Sequence, residues 1–249
     1  MRVIATYNIK GGVGKTSAAV NLAYLAGAAG YRTLLWDLDP QGAASYMFRV
    51  RPRVKGGAKA LIRGARPLDE AIKGTDFDGL DLLPADFTYR NMDLALHKRK
   101  QPTHQLARLL DPLAAEYDIV FLDCPPSISL VSENILYAVH TLLVPVIPTT
   151  LSERTFDQLT SFIAGLEGRR PEVLAFFSMV DRRKRLHRDI VTRLSAERSD
   201  IATATVPAMT LVEQVSVRRA PVPAFAPRSV ATRHYQELWA ELRGRAGLT

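Results

Sequence analysis

Residues 10–16 read Lys10-Gly11-Gly12-Val13-Gly14-Lys15-Thr16 and stand between an apolar run, residues 3–7, and a helical pattern, residues 15–29. A strand that turns through glycines into a helix is the local setting of a phosphate-binding loop. Glycines let the backbone turn its N–H groups inward around phosphate oxygens. The N-terminus of the helix that follows adds partial positive charge. Lys15 is placed to reach the β- and γ-phosphates, and the Thr16 hydroxyl is placed to ligate Mg²⁺. Gly11, Gly12, Val13, Gly14 and Ser17 complete the expected cradle. The usual spacing of such loops, GxxxxGK[ST], is not met literally. Ile9 occupies the place of the first glycine, the glycines have moved inward, and a second lysine, Lys10, has appeared.

Outward from this loop, short apolar runs alternate with helical patterns. Residues 3–7, 33–36, 80–83, 119–122, 142–147 and 173–177 read as strands. They are continuously apolar, as strands buried on both faces are. Residues 15–29, 104–110, 130–138, 153–166 and 188–198 read as helices, and a last helix covers about 230–245. The alternation predicts an α/β fold with a doubly wound, mainly parallel sheet flanked by helices and right-handed crossovers, in one domain over residues 1–249. The stretch 49–74 is basic and glycine-containing and takes no clear assignment.

Two strand ends carry carboxylates. The run 33–36 passes into Asp37-Leu38-Asp39-Pro40-Gln41-Gly42, and the run 119–122 into Asp123-Cys124-Pro125-Pro126-Ser127. Ligands of open α/β sheets bind outside the carboxyl ends of the strands. Asp123 therefore reads as a Mg²⁺ holder, acting through water, and Asp37 and Asp39, one residue apart at a strand end, face the same side. The plainer reading of Asp-Pro-Gln-Gly is turn chemistry. Cys124 has no His or second Cys beside it and reads as a small buried filler.

Taken together, KGGVGKT at 10–16, DLDPQG at 37–42 and YDIVFLDCPPS at 117–127 resemble the deviant Walker A, switch I, and Walker B with switch II of the ParA/MinD ATPases. The resemblance implies a P-loop NTPase that binds ATP and Mg²⁺. It implies that Lys10 crosses a dimer interface to the phosphates of the other subunit, acting with Lys15 in catalysis. It implies that Asp39 positions or activates the attacking water with Asp37 near the metal, so that the expected metal set is Thr16, Asp37, Asp39 and Asp123. Val206-Pro207-Ala208-Met209 is similar to the family's adenine loop, so Pro207 and Met209 are expected on the base, while Ala208 stands where many members carry arginine. Guanine binders place Asn-Lys-x-Asp near residues 178–181; Ser178-Met179-Val180-Asp181 lacks the Asn and the Lys, which favours ATP. ParA-like proteins bind DNA without sequence preference through basic residues of the C-terminal half. The candidates here are Arg182, Arg183, Lys184, Arg185 and Arg188, with Arg218 and Arg219. The alternative is a solvated helix start.

Composition agrees with this class. The 249 residues are 47% hydrophobic, enough for one full core. Thirty-three Lys and Arg against 25 Asp and Glu leave a net charge of +8, which suits a polyanionic partner or merely a basic surface. One cysteine excludes an internal disulfide and fits a reducing cytoplasm. It also argues against the iron–sulfur relatives, which need two matched cysteines per subunit. No signal peptide and no membrane-spanning run is read. The leading expectation is a cytoplasmic, nucleoid-associated ATPase that dimerises on ATP. It would bind nonspecific DNA, and a cargo-bound ParB-like adaptor would stimulate hydrolysis. A MinD-like membrane-associated ATPase is the alternative, with Tyr235, Leu238, Trp239 and Leu242 forming one apolar helical face, although such a stripe more often packs into a core. An amide-forming synthetase is the third reading.

Overall fold

The computed structural model describes residues 1–65 and 67–248. Its sheet has eight strands in the order β3-β4-β2-β5-β1-β6-β7-β8. These are β1 (Arg2–Thr6), β2 (Thr33–Asp37), β3 (Lys73–Gly74), β4 (Leu80–Leu83), β5 (Ile119–Asp123), β6 (Thr141–Val146), β7 (Glu172–Val180) and β8 (Ile201–Pro207). Every pairing is parallel except β3 on β4. The chain works outward in both directions from central β1. As a result the carboxyl ends of β1, β2, β5, β7 and β8 share one edge.

The helices cover both faces. They are α1 (Lys15–Ala28), α2 (Ala43–Met47), α3 (Gly57–Arg63), α4 (Met92–Leu96), α5 (Gln105–Leu110), α6 (Leu130–Ala138), α7 (Thr150–Ala164), α8 (Arg185–Glu197), α9 (Thr210–Arg218), α10 (Val222–Phe225) and α11 (Val230–Arg245). Alternate strand residues feed two apolar layers. Val3, Trp36, Leu122 and Phe177 enter one; Ile4, Leu35, Phe121 and Phe176 enter the other, against α1 and α11.

Two strands lie outside the apolar runs read above. β8 alternates Ala and Thr, and its burial alternates with them, as on a half-covered sheet edge. β3 is two residues long and exposed, so hydrophobicity never marked it. Helices α2, α3, α4, α9 and α10 were likewise unassigned; four of them run seven residues or fewer, too short for a 3.6 period to stand out. Helix α7 starts at Thr150, before the expected 153, because Thr149 caps it by accepting from the Ser152 N–H. The stretch 49–74 holds α3 and β3, apart from Arg66, which lies outside the described residues.

The apolar stripe of α11 is core. Tyr235, Leu238, Trp239 and Leu242 are all buried, packed on the layer that includes α1 and β8. That takes the proposed membrane face away from this helix. Leu238→Ala is expected to cost about 2–5 kcal/mol, because no solvent reaches the site and the cavity is enclosed. Urea unfolding measures it; a change within about 0.5 kcal/mol, the usual range for surface sites, would show that this face is not core. No helix among the described residues is long and apolar enough to cross a membrane.

Candidate nucleotide site

β1 delivers the chain to the shared edge, where Asn8 shapes the loop. Asn8 is buried; its side-chain amide donates to the Pro145 carbonyl and its oxygen accepts from the Lys10 N–H. Gly12 and Gly14 have φ of +69° and +94°, and a Cβ on Gly14 would stand 2.9 Å from Ser178 Oγ. Glycine at 14 is therefore required by backbone conformation and by space. Gly14 is also the N-cap of α1; no side chain caps this end and its first turn has no acidic residue. The free N–H groups and dipole of a 14-residue helix thus face the loop unanswered. Val13 is fully buried, so only its main chain can serve a ligand.

Lys15 is buried, and its Nζ donates to the Lys10 carbonyl at 3.1 Å. Burial lowers its pKa, while Asp123, Cys124 and Asp39 pull the other way. Lys10 behaves differently. It is exposed, and among the described residues its Nζ reaches only Ser152 Oγ, at 3.5 Å. Its side chain lies outside its own loop.

Strand register sets Asp37 beside Asp123 on adjacent strands. Both Asp123 oxygens are buried without a hydrogen-bond partner among the described residues. Burial raises the Asp123 pKa well above the carboxylate range and the Asp37 charge adds to this. The Thr16 hydroxyl stands close enough to ease the charge, though outside hydrogen-bond geometry. Asp37 has a second task. Its Oδ2 accepts from the Ser45 N–H and hydroxyl at 2.7 and 2.8 Å, which ties α2 to the end of β2, and its Oδ1 has no partner among the described residues. Burial pushes the Asp37 pKa up to about 6. Asp39 is half-buried beyond the strand end and accepts from the Gln41 N–H. No group of three His, Cys, Asp or Glu that could hold a metal occurs among the described residues. Of the metal set expected from the sequence, Asp123 has both oxygens and Asp37 its Oδ1 without a partner among the described residues, and Asp39 lies at the half-buried rim. Cys124 is buried and free.

Beside the loop lies a cavity of about 110 Å³ lined by Ser17, Ser178, Met179, Pro207, Met209 and Glu213, among others. Pro207 and Met209 are therefore brought together with Ser17. Glu213 and Val212 were missed; they sit in α9, an element with no clear sequence signal.

The basic candidates divide. Arg183 is paired with Asp181 at 2.9 Å and Arg185 with Asp189 at 3.5 Å. The Arg183 guanidinium and N–H hold Asp181 down to about 2. Arg188 donates to the Arg182 and Arg183 carbonyls. Arg182 and Lys184 make no ion pair among the described residues. Arg219 sits elsewhere, at the end of α9, with its Nε on the Tyr46 carbonyl and its guanidinium 4.5 Å from the Tyr46 ring centre. Arg49 answers by donating to the Arg218 carbonyl. Arg219 is thus committed to clasping α2, while Arg218 is exposed.

A Gly-rich loop at an uncapped helix, a buried lysine and buried aspartates at neighbouring strand ends define a P-loop NTPase fold. The family model described as an AAA domain matches residues 1–175. The chromosome partitioning protein ParA of Myxococcus xanthus is 36% identical over 163 residues, 65% of this chain and 58% of that protein. The protein of the same name from Caulobacter vibrioides is 29% identical over 98% of this chain and 95% of its own length. Among solved structures, cobyrinic acid a,c-diamide synthase of Mycobacterium smegmatis, with bound ATP analogue and magnesium, superposes with a TM-score of 0.81 at 25% identity. That match covers 99% of this chain and 97% of the synthase. The chain belongs to the ParA family of AAA-domain proteins.

Proposed function

We propose that this chain hydrolyses ATP with Mg²⁺ and uses the cycle to position DNA or another large cargo. One observation carries the reading: a buried lysine and an uncapped helix N-terminus face a buried, unpartnered carboxylate across an otherwise uncommitted loop. Such a site is unfavourable when empty and is satisfied by a triphosphate with its cation. Thr16 and Asp123 would hold Mg²⁺, which neutralises charge developing on the β- and γ-oxygens. The Lys15 ammonium and the α1 N–H groups bind and orient the phosphates. Asp39, at the half-buried rim, orients the attacking water and accepts its proton. Pro207 and Met209 cover the base.

Lys10 supports an ATP-bound homodimer. With its side chain outside its own cradle, it is free to reach phosphates bound by a second copy, as an arginine finger does. The dimer doubles the basic surface that includes Arg182, Lys184 and Arg218, so nonspecific DNA binding becomes ATP-dependent. A cargo-bound adaptor of ParB type stimulates hydrolysis and releases the DNA. On this reading the protein works in the cytoplasm at the nucleoid. The synthase likeness concerns a family fold shared by unlike activities, whereas the Caulobacter relative matched over nearly its whole length is a partitioning protein.

The test uses Asp39→Ala to block hydrolysis. With ATP it is expected to run as a dimer by light scattering and to bind duplex DNA at least about tenfold tighter than the unloaded chain, falling steeply with salt. Arg182→Glu with Lys184→Glu is expected to weaken binding equally for all sequences. A monomer in ATP, or DNA affinity that ignores ATP, would sink the reading.

A further inference from the structure

Between α3 and α4 runs a groove of about 510 Å³, away from the nucleotide loop in sequence and in its lining. Its walls carry Lys59 and Arg63 on one side and Lys98 and Arg99 on the other, and its lining contains no acidic residue. All four cations are exposed, and none makes an ion pair among the described residues. They belong partly to the run His97-Lys98-Arg99-Lys100, which is shorter than the basic run at 182–188.

The carboxylates nearest in sequence are already committed. Asp86 is buried, and its two oxygens accept from Val54 N–H, from Thr88 N–H and from the Thr88 hydroxyl. Thr88 in turn accepts from the Ala58 N–H and so pins the start of α3 to the turn at Phe87–Asn91. Asp93 accepts from the Val131 N–H at the start of α6. These bonds brace the walls of the groove and leave its cations without an acidic partner among the described residues; Arg99 Nε donates to Gln105 Oε1 at 3.4 Å. Between the cationic walls lies an apolar strip: Leu94 is 67% exposed, and neighbouring Phe87 is 61% exposed with the Arg90 guanidinium 3.9 Å over its ring.

We propose that this groove docks an acidic, amphipathic segment of a partner protein, with carboxylates on Lys59, Arg63, Lys98 and Arg99 and an apolar side chain on Leu94. Charge complementarity selects an anion, and the apolar strip selects among anions. A phosphodiester chain answers the cations but leaves Leu94 in water. An acidic segment with an apolar face answers both, in the way helical and extended peptides fill grooves. The proposal is independent of the nucleotide reading. The hydrogen bond from Val131 to Asp93 ties the groove to the segment that follows Asp123.

Fluorescence anisotropy tests it on the full chain. The probes are a fluorescein-labelled Glu/Leu amphipathic peptide, its Gln/Leu counterpart, and a labelled duplex oligonucleotide. The Glu/Leu peptide is expected to bind saturably at low salt, and at least about tenfold tighter than the Gln/Leu peptide. Lys59→Glu with Arg99→Glu is expected to weaken it about tenfold or more, and Leu94→Ser about threefold or more, with thermal melting and peptide-free ATP turnover unchanged in both. All three side chains are exposed, so folding is retained; Lys59→Gln and Leu94→Ala repeat the test with smaller changes. Absence of saturable peptide binding overturns the proposal, as does binding that ignores both sets of variants. It is equally overturned if the oligonucleotide binds tighter than the peptide and loses affinity in the same variants.

Discussion

Lys15→Ala is expected to lower ATP affinity about a hundredfold or more. The ammonium is buried, and among the described residues its one hydrogen bond is to the Lys10 carbonyl. A triphosphate replaces that weak bond with charge-assisted bonds, each worth about 1.5–3 kcal/mol net, and about 2.7 kcal/mol is a hundredfold in affinity. The unloaded fold is expected to change little, within about 1 kcal/mol, because removing the desolvated cation relieves burial while depriving Asp123 of a neighbouring positive charge. Titration calorimetry with ATP and Mg²⁺, alongside urea unfolding, separates the two effects. Wild-type affinity in the variant would show that Lys15 faces no phosphate. A large loss of fold stability would show that its role is structural.

Asp123→Asn is expected to move stability and ligand response in opposite directions. A carboxylate whose pKa is raised in the folded chain takes a proton more readily there than when unfolded. The folded state therefore loses stability as pH rises through the unfolded value, and the loss continues until the raised folded value has been passed. Removing the charge beside Asp37 and Asp39 should stabilise the unloaded chain by about 1–3 kcal/mol. The same change should abolish the extra stabilisation that Mg²⁺ adds to ATP. For the wild type, a ligand at a hundred times its Kd adds about 2.7 kcal/mol. Thermal melts with ATP plus Mg²⁺, with ATP plus EDTA, and without ligand compare the two proteins directly. If the variant is less stable unloaded, Asp123 is an internal anchor. If it still responds to Mg²⁺, the cation sits elsewhere.

Much of this was legible in the residues. Glycines and Gly-Lys-Thr between an apolar run and a helical run dictate a loop of inward N–H groups, since few other backbones accept φ of +69° and +94° at Gly12 and Gly14. Continuous apolar runs closing on Asp37 and Asp123 placed two carboxylates at strand ends, and the sheet set them in register. Lys10 is conspicuous in local sequence as a second lysine in such a loop, and the fold leaves its side chain exposed beside Ser152.

Other features were decided by tertiary structure alone. Asp37 reads in sequence as one more carboxylate at the site, yet its Oδ2 is bound to Ser45, a partnership that depends on where α2 lands. Arg219 and Arg183 count as free positive charge in a sequence, but contacts with Tyr46 and Asp181 occupy them. Asn8 carries no motif, and only its burial beside Pro145 reveals it as the residue that holds Lys10 in place. The sequence by itself determined a parallel α/β sheet with a phosphate loop at its centre, because those features follow from the period and the backbone freedom of neighbouring residues. Which charges stay free, which carboxylate lacks a partner and which apolar stripe is core depend on residues far apart in the chain: Lys59 and Arg99 line one groove from opposite sides of a long intervening segment, and only folding brings such groups side by side.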